Sequence, residues 1–515
     1  MVETHSMSSA RRERSDRELG GLVRHSAIYS AAPLLRQVIA IAMTPLYTLW
    51  LGEEGCGVKG VIDLWMIGLQ QLLGVNILGA MVRFYYDRRS ERDRAATVTS
   101  CTLLVTLVAW LACGGAWFFR AQLTPILLDD VPIVAGNDLV RILGLMLLLI
   151  PFQLSTQSGF YYLMAIKRSG LFTTIQTVKL LFEIALNFVL IWHLGWGVRG
   201  FLLSMLAGEA LTSLLLCGWI FWHLGARVDW KVLRPILAYA APLIPVGVCQ
   251  LGLHSLDRRL LVIFAPEGWA TTGVYDHGYK IGFLVTAMML GPFLQIFHSW
   301  IYDIEDAKEQ ARHLARVGTW AVLAIAGVSL GVILFGRQAA VILGGKREFW
   351  EAWRVIPYIA CGYVFWALYH VSQIPLFIAK RTARLFVINL VALGINVTVN
   401  AWLIPRHEFV GAGITTAITF TCLATMGMIA SRSEAKVPFE LGRLGMVLLG
   451  VVIASACALS VDALEVADEL GVAVAIGLKA IACATLLAAY WFAVLREDER
   501  SGLIAWVRSR REPIA

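Results

Sequence analysis

Long apolar stretches recur along the whole chain and limit its possible folds more than any other feature of the sequence. Fourteen stretches of twenty or more mostly apolar residues follow one another, and short polar loops separate them. An α-helix of about 20 apolar residues spans the hydrocarbon core of a bilayer. Only 16% of the 515 residues are charged, against roughly 25% in soluble domains. The sequence therefore predicts an all-α polytopic membrane protein with about fourteen transmembrane helices.

The distribution of Lys and Arg between the loops predicts the orientation of the chain in the membrane. The loops on one side, together with both termini, contain 29 of the 44 Lys and Arg residues, and the loops on the other side contain six. Cytoplasmic loops are enriched in these residues. We therefore predict that the protein lies in the bacterial inner membrane with both termini in the cytoplasm. The predicted spans are 25–51, 58–84, 96–118, 138–164, 171–193, 198–223, 235–264, 273–300, 314–336, 353–379, 385–404, 409–431, 443–462 and 470–495.

The two halves of the chain carry related motifs. The motif at 31–35 (AAPLL) returns at 240–244 (AAPLI), and the loop at 167–172 resembles the loop at 381–386. Because six is an even number, two six-helix copies insert the same way up, as in transporters built from parallel repeats. We therefore predict two six-helix lobes (helices 1–6 and 7–12) around a central cavity, followed by two extra C-terminal helices. The predicted regions are a cytoplasmic N-terminal tail (1–24), an N-lobe (25–223), a C-lobe (235–431), the two extra helices (443–495) and a cytoplasmic basic amphipathic tail (496–515).

Several motifs resemble one known family of membrane proteins. They are the runs 33–36, 45–47, 82–86, 256–261 and 400–405. In order and spacing they resemble the polysaccharide-biosynthesis flippases of the multidrug/oligosaccharidyl-lipid/polysaccharide exporter (MOP) superfamily. The resemblance covers most of residues 25–495, while Arg259 and the acidic stretch 303–309 depart from the family pattern.

The resemblance implies that the protein turns a polyprenyl-pyrophosphate-linked oligosaccharide from the cytoplasmic to the periplasmic leaflet by alternating access. Such a flippase serves the biosynthesis of a surface polysaccharide, such as O-antigen, capsule or exopolysaccharide. It is not an enzyme, and it has no catalytic residues and no cofactor. Its expected partners are the lipid-linked oligosaccharide, membrane lipids and a polysaccharide polymerase/export complex. The sugar, the coupling ion and the oligomeric state stay open at this point.

Charged residues inside the predicted spans are candidates for substrate binding, because a charge at mid-bilayer costs roughly 2.5–3.5 kcal/mol on insertion scales. Arg36 lies near the middle of the first span, beside Gln37 and a polar helix face. Its guanidinium can hold a pyrophosphate through two parallel hydrogen bonds. The alternative is a structural arginine that bonds backbone carbonyls or an acid on another helix. We predict that Arg36 and Gln37 bind the substrate.

Two further polar faces occur in corresponding spans of the two lobes. Lys179 and Asn187 lie on one face of the span 171–193, and Asn396 lies on the matching face of the second lobe. We predict that both faces line the substrate cavity, and the alternative is hydrogen bonding between packed helices. Lys179 also has Glu183 four residues later, so these two charges can neutralise each other.

The remaining candidates are two cations and two acids. Arg258 and Lys280 are predicted to bind the substrate, with a buried Asp–Arg network that only holds helices together as the alternative. Glu209 and Asp63 are predicted to couple transport to an ion, because a buried carboxylate can take up a proton or a sodium ion. The alternative for each acid is pairing with an arginine on another helix.

Other classes of protein are disfavoured by the same residues. A drug exporter of this superfamily needs an acid-lined cavity, whereas Lys and Arg outnumber acidic residues within the spans. A glycan polymerase or ligase needs long periplasmic loops, and the longest here has about 17 residues. The nine cysteines are scattered without a CxxC pair, so no metal site is predicted. No nucleic-acid partner is predicted either, because the basic residues lie in membrane loops.

Overall fold

The structure is a computed structural model, and the residues that it describes are helical with short connections. It describes residues 50, 59, 62–63, 65–127, 136–266, 268–302, 304, 306–344, 347–434, 437–466 and 471–502. The helices are α1 (Trp65–Leu73), α2 (Val75–Asp87), α3 (Glu91–Phe118), α4 (Arg120–Leu127), α5 (Gly136–Ala165), α6 (Ser169–Asn187), α7 (Gly197–Leu224), α8 (Trp230–Ala240), α9 (Leu243–Phe264), α10 (Gly268–Ile301), α11 (Ala307–Leu334), α12 (Gly336–Gly344), α13 (Ile356–Ser372), α14 (Ile374–Ile378), α15 (Thr382–Glu434), α16 (Leu441–Val466) and α17 (Val472–Ala489).

Many of these helices are long enough to cross a bilayer. Within the described residues, ten helical stretches are sufficiently long and apolar, some of which join neighbouring helices such as α8 and α9, and an eleventh is formed when the bent pair of α1 and α2 counts as one span. The chain is therefore an all-α, multi-pass membrane protein, as predicted. The number fourteen stays a prediction, because nearly all of the first predicted span, 25–51, lies outside the described residues.

Two breaks within the predicted spans coincide with glycine and proline, and a third break lies in a predicted loop. The helices α1 and α2 meet at Gly74 with a bend of 46°, and a Cβ at Gly74 would lie only 2.6 Å from the Val105 side chain. The helices α8 and α9 are separated at Ala241 and Pro242, since proline cannot donate the hydrogen bond that continues a helix. In α15 the break falls at Glu408 (φ 48°), inside the predicted loop 405–408.

The chain divides into two compact units. The first unit contains the described residues up to Val248 together with Pro292–Ile304. In this unit α5 packs against α3 and α7, and Gly159 allows α5 to approach Leu216 closely, because a Cβ there would lie 2.5 Å from the leucine Cβ.

The second unit contains Cys249–Gly291 and the described residues from 306 onward. Its core forms where α13 packs against α15 and where α11 packs against α13 and α16. Helix α13 is buried along most of its length, as expected for a helix that is apolar on every side. The predicted boundaries of the N-lobe, the C-lobe and the two extra helices stay predictions.

Candidate functional site

The first unit contains an open cavity of about 500 Å³, which both polar and apolar side chains line. A cavity of this size lies within the usual range for ligand sites. It is bounded by the segment 59–70 and by α5, α6 and α7. The residues that line it are Lys59, Asp63, Met66, Ile67, Gln70, Gln153, Thr156, Gln157, Phe160, Gln176, Lys179, Leu180, Glu183, Phe201, Met205 and Glu209.

Three glutamines form a chain of hydrogen bonds along one wall of the cavity. The Gln157 Nε2 donates to Gln70 Oε1 at 2.6 Å, and Gln70 Nε2 donates to Gln153 Oε1 at 2.9 Å. Each amide keeps further donors or acceptors, because an amide has two N–H groups and a carbonyl oxygen with two lone pairs. The wall can therefore form hydrogen bonds with hydroxyl groups. Sequence analysis did not select these residues, although Gln153 and Gln157 are one helical turn apart in an apolar span.

Lys179 binds two carboxylates that also line the cavity. Its Nζ lies 2.5 Å from Glu209 Oε1 on α7 and 3.6 Å from Glu183 Oε1 on its own helix. Glu209 is 6% exposed, and its second oxygen, Oε2, has no hydrogen-bond partner in the part of the chain that the structure describes. Lys179 is thus shared between a carboxylate on α7 and a carboxylate on its own helix.

Asp63 and Lys59 form a second ion pair in this cavity. Lys59 Nζ lies 2.5 Å from Asp63 Oδ2 and 4.7 Å from the centre of the Phe201 ring. The partner of Asp63 is therefore a lysine one turn earlier. The structure thus brings together three of the predicted site residues, Asp63, Lys179 and Glu209. Among the described lining residues, two lysines face three carboxylates.

Asn187 belongs to the same helix as Lys179, but it does not line this cavity. It is buried, and its Oδ1 accepts a hydrogen bond of 2.5 Å from Ser204 Oγ on α7. This contact joins α6 to α7 and corresponds to the packing alternative. The predicted substrate-binding residues Arg36 and Gln37 lie outside the described residues.

In the second unit, Asp276 binds both predicted cations. Arg258 Nε donates to Asp276 Oδ1 at 2.8 Å, and Lys280 Nζ lies 2.7 Å from Asp276 Oδ2. The Arg258 guanidinium also lies 4.5 Å from the centre of the Tyr279 ring. The cluster has a formal charge of +1, and the Lys280 side chain is 75% exposed. It can therefore accept an additional anionic group.

Asp257 is a buried acid that the sequence analysis did not select. Its carboxylate accepts hydrogen bonds from Tyr275 Oη at 2.8 Å, Asn400 Nδ2 at 2.7 Å and Thr416 Oγ1 at 3.1 Å. It is 0% exposed, and it has no salt bridge within the described residues. Tyr275 lies 18 residues from Asp257, but Asn400 and Thr416 on α15 lie 143 and 159 residues away, so spacing alone could not have found the cluster.

Asn396 extends the Asp257 cluster along α15. Its Oδ1 accepts a hydrogen bond from Asn400 Nδ2 at 3.1 Å, and its Nδ2 lies 3.5 Å from Thr419 Oγ1. Asn396 is thus buried in the second unit. It does not touch the carboxylate of Asp257 directly, and Asn400 lies between the two. A buried carboxylate that is held by neutral donors within the described residues can take up a proton or a cation.

Solved structures of membrane transporters share the all-α, multi-pass fold of this chain. A MOP-superfamily transporter from Pyrococcus furiosus is similar with a TM-score of 0.67 and 16% identity, over 80% of this chain and 94% of that chain. The Vibrio cholerae MATE transporter VcmN in its bent form has a TM-score of 0.61 and 14% identity, over 80% of this chain and 98% of that chain. At these identities the likeness shows the fold.

The family is shown by the sequence itself. The family model described as polysaccharide biosynthesis protein matches residues 88–347, which is just over half of the chain. The chain therefore belongs to the polysaccharide biosynthesis protein family, as the motifs predicted. No curated protein sequence is significantly similar to it.

Proposed function

We propose that this protein is a flippase that turns a polyprenyl-pyrophosphate-linked oligosaccharide from the cytoplasmic to the periplasmic leaflet of the bacterial inner membrane. It works by alternating access, serves surface polysaccharide biosynthesis and performs no chemical conversion. One observation carries the proposal: a member of the polysaccharide biosynthesis family has a cavity among its apolar helices that is lined by amide, ammonium and carboxylate groups.

The chemistry of the cavity suits a glycan head group. Moving a hydroxyl into hydrocarbon without a hydrogen bond costs roughly 4–8 kcal/mol, so a bare sugar does not cross a bilayer. The chain of Gln70, Gln153 and Gln157 offers donors and acceptors that can replace the lost water. In the second unit, the Arg258–Asp276–Lys280 cluster has a formal charge of +1 and can by itself bind an anionic group.

Transport against a gradient needs a coupling ion, and we place one at Asp257. Asp63 and Glu209 each have a lysine at 2.5 Å, whereas Asp257 is held by neutral donors within the described residues. An unbalanced buried negative charge favours the uptake of a proton or cation. Asp257 therefore joins Glu209 and Asp63 as a third candidate for ion coupling, and it is the one that we favour.

A second candidate function is that of a cation-coupled multidrug exporter of the same superfamily. One observation favours it: three carboxylates and two lysines line the described part of the cavity. An excess of acid suits a cationic cargo. The fold does not choose between the two functions, because MATE transporters share it.

Deletion of the gene in its native host tests the proposal. The flippase predicts that polyprenyl-linked oligosaccharide accumulates in the membrane and that surface polymer is lost, and the mass of the accumulated lipid identifies the glycan. Wild-type protein restores export, and well-expressed Arg36→Ala restores it poorly. Full export by Arg36→Ala would remove that residue from the mechanism. New sensitivity to cationic drugs, without any accumulated lipid, would favour the exporter instead.

A further inference from the structure

The helix α8 has two different faces. Its inner face is apolar and packs against α2 and α3, and the rings of Tyr239 and Phe84 meet there edge to face with 5.6 Å between their centres. Its outer face carries Trp230, Lys231 and Arg234, and all three are exposed. The apolar face therefore holds the helix against the first unit, while the outer face stays available to a partner.

Helix α8 exceeds the length that is needed to cross the bilayer. Together α8 and α9 form an apolar stretch of 35 residues, of which α9 alone has 22. At 1.5 Å per residue α9 is about 33 Å long, which already covers a hydrocarbon core of about 30 Å. The break at Ala241 and Pro242 separates the two helices. We therefore expect α8 at the membrane–water interface, where tryptophans such as Trp230 are enriched.

Hydrogen bonds from α3 fix the backbone just before α8. The hydroxyls of Thr99 and Ser100 both donate to the backbone oxygen of Arg227, at 3.1 and 3.3 Å. The backbone amide of Asp229 donates to Ser100 Oγ at 2.9 Å. The Asp229 carboxylate in turn accepts from the backbone amide of Lys231 at 2.9 Å and caps α8. Because the backbone is held in this way, the side chains of the segment start from fixed positions.

The segment 227–234 carries a net positive charge on its exposed side. Arg227, Lys231 and Arg234 are exposed, and none of them has a salt bridge within the part of the chain that the structure describes. Asp229 is the one acid of the segment, so its formal charge is +2. An exposed guanidinium or ammonium group can bind phosphate oxygens through charge-assisted hydrogen bonds.

Two exposed apolar side chains lie among these cations. Val228 is 53% exposed and Trp230 is 66% exposed. Water is a poor environment for both, whereas the glycerol backbone and upper acyl chains of a lipid can cover them. The charges alone would suit any anion, but the combination of charges and apolar side chains suits a lipid with an anionic head group.

We propose that the segment 227–234 is a binding site for an anionic phospholipid. Its three cations bind the phosphate oxygens, and Val228 and Trp230 contact the glycerol backbone and the upper acyl chains. Basic residues beside a membrane span attract anionic lipids by about fivefold in affinity for each residue. The site is independent of the cargo, because it lies on the outer face of α8 and shares no residue with the cavity.

Lipid titration of the purified full-length protein in detergent, followed by native mass spectrometry, tests the site. The lipids are phosphatidylglycerol and phosphatidylcholine with the same acyl chains, and glycerol 1-phosphate serves as the free head group. In Arg227→Gln/Lys231→Gln/Arg234→Gln we expect the tightest phosphatidylglycerol site to weaken about a hundredfold, while the affinity for phosphatidylcholine stays unchanged. The unfolding midpoint without lipid should stay close to that of the wild type, because the substituted side chains are exposed.

A second triple variant controls for the loss of net charge. Arg381→Gln/Arg384→Gln/Arg496→Gln also removes three exposed cations, but these already pair with Glu434 or Glu440. We expect this variant to bind phosphatidylglycerol as the wild type does. An equal loss in both triple variants would show that net charge alone attracts the lipid and would overturn the site.

Asp229→Asn tests the same segment in the opposite direction. Asparagine caps a helix as well as aspartate does, so the variant removes the acid and keeps α8 in place. We expect phosphatidylglycerol to bind about fivefold more tightly and to lose this gain at high salt, which screens exposed charges. Unchanged phosphatidylglycerol affinity in this variant and in the 227–234 triple variant would refute the proposal. Glycerol 1-phosphate that binds as tightly as the lipid would show a site for soluble anions instead.

Discussion

Two buried carboxylates of this protein are stabilised in different ways. Glu209 has the ammonium of Lys179 at 2.5 Å, and it lines an open cavity. Asp257 is fully buried, and within the described residues it relies on three neutral donors. Neutral hydrogen bonds lower the cost of a buried charge but do not cancel it. The first acid is therefore paired with a cation of the protein, and the second is suited to bind a cation itself.

Replacing Asp257 with asparagine separates the charge of this site from its packing. We expect Asp257→Asn to fold with an unchanged or higher unfolding midpoint, because the amide keeps the shape and loses the unbalanced charge. Export in the complemented deletion strain should fall to a small fraction of the wild-type level. Asp257→Ala also loses the hydrogen bonds, and we expect a destabilisation of at least about 2 kcal/mol.

The unfolding midpoint of purified protein in sodium, in potassium and at several pH values provides the measurement. The wild type should be stabilised by its coupling ion through mass action, and Asp257→Asn should not respond to that ion. An identical response of both proteins would place the coupling ion elsewhere.

At the scale of elements, the segment 497–502 is tied to two helices of the second unit. Glu499 is buried, and its carboxylate accepts hydrogen bonds from Arg443 of α16 at 2.5 Å and from Trp320 of α11 at 2.8 Å. The backbone amide of Arg496 donates to it at 3.0 Å. Burial alone would raise the pKa of Glu499, but the hydrogen bonds from Arg496, Arg443 and Trp320 outweigh it and hold the pKa below the ordinary value of 4.5.

The lowered pKa gives this contact a predictable pH dependence. The contribution of Glu499 to stability is fully present above 4.5 and is lost as pH falls through the lower pKa of the folded protein. We expect Glu499→Gln to cost about 2 kcal/mol near neutral pH, since hydrogen bonds to charged groups contribute roughly 1.5–3 kcal/mol. The difference from wild type should shrink in acid, as followed by unfolding midpoints.

The neighbouring residue provides a control for this prediction. Asp498 pairs with Arg316 at 3.1 Å, and both side chains are largely exposed. An exposed ion pair contributes about 0–1 kcal/mol, so Asp498→Asn should change the midpoint little. Equal effects of the two substitutions on the unfolding midpoint would show that the burial of Glu499 adds nothing to the stability of the protein.

The ends of helices could be predicted where neighbouring residues in the sequence mark them. The break in α15 at Glu408 falls in the predicted loop 405–408, because Pro405 and a run of polar residues interrupt the apolar pattern. Contacts between helices were not predictable in the same way. Spacing indicated Glu183 as the partner of Lys179, but Glu209, thirty residues later, lies closer. Which faces of two helices meet depends on packing, and a single sequence does not encode that in its spacing.

At the scale of the whole molecule, the sequence was sufficient for the fold class and the family but not for the full site. The length of the apolar stretches alone indicated a multi-pass helical protein. The order of the motifs indicated the family, and the family model that matches residues 88–347 shows it. Asp257 was passed over because its partners Tyr275, Asn400 and Thr416 lie up to 159 residues away. The glutamine chain was missed because its members lie 83 and 87 residues apart.

The orientation of the chain yields the last prediction. Of the 44 Lys and Arg residues, 29 lie in the termini and in loops on one predicted side, and that side should be cytoplasmic. A fluorescent protein fused after Ala515 should therefore fluoresce, because it folds in the cytoplasm and not after export in an unfolded state. Alkaline phosphatase, which is active only in the periplasm, should be active when fused within 467–470 and inactive when fused after Ala515. A phosphatase that is active after Ala515 would invert the topology or add a span, and it would exchange the faces from which cargo enters and leaves.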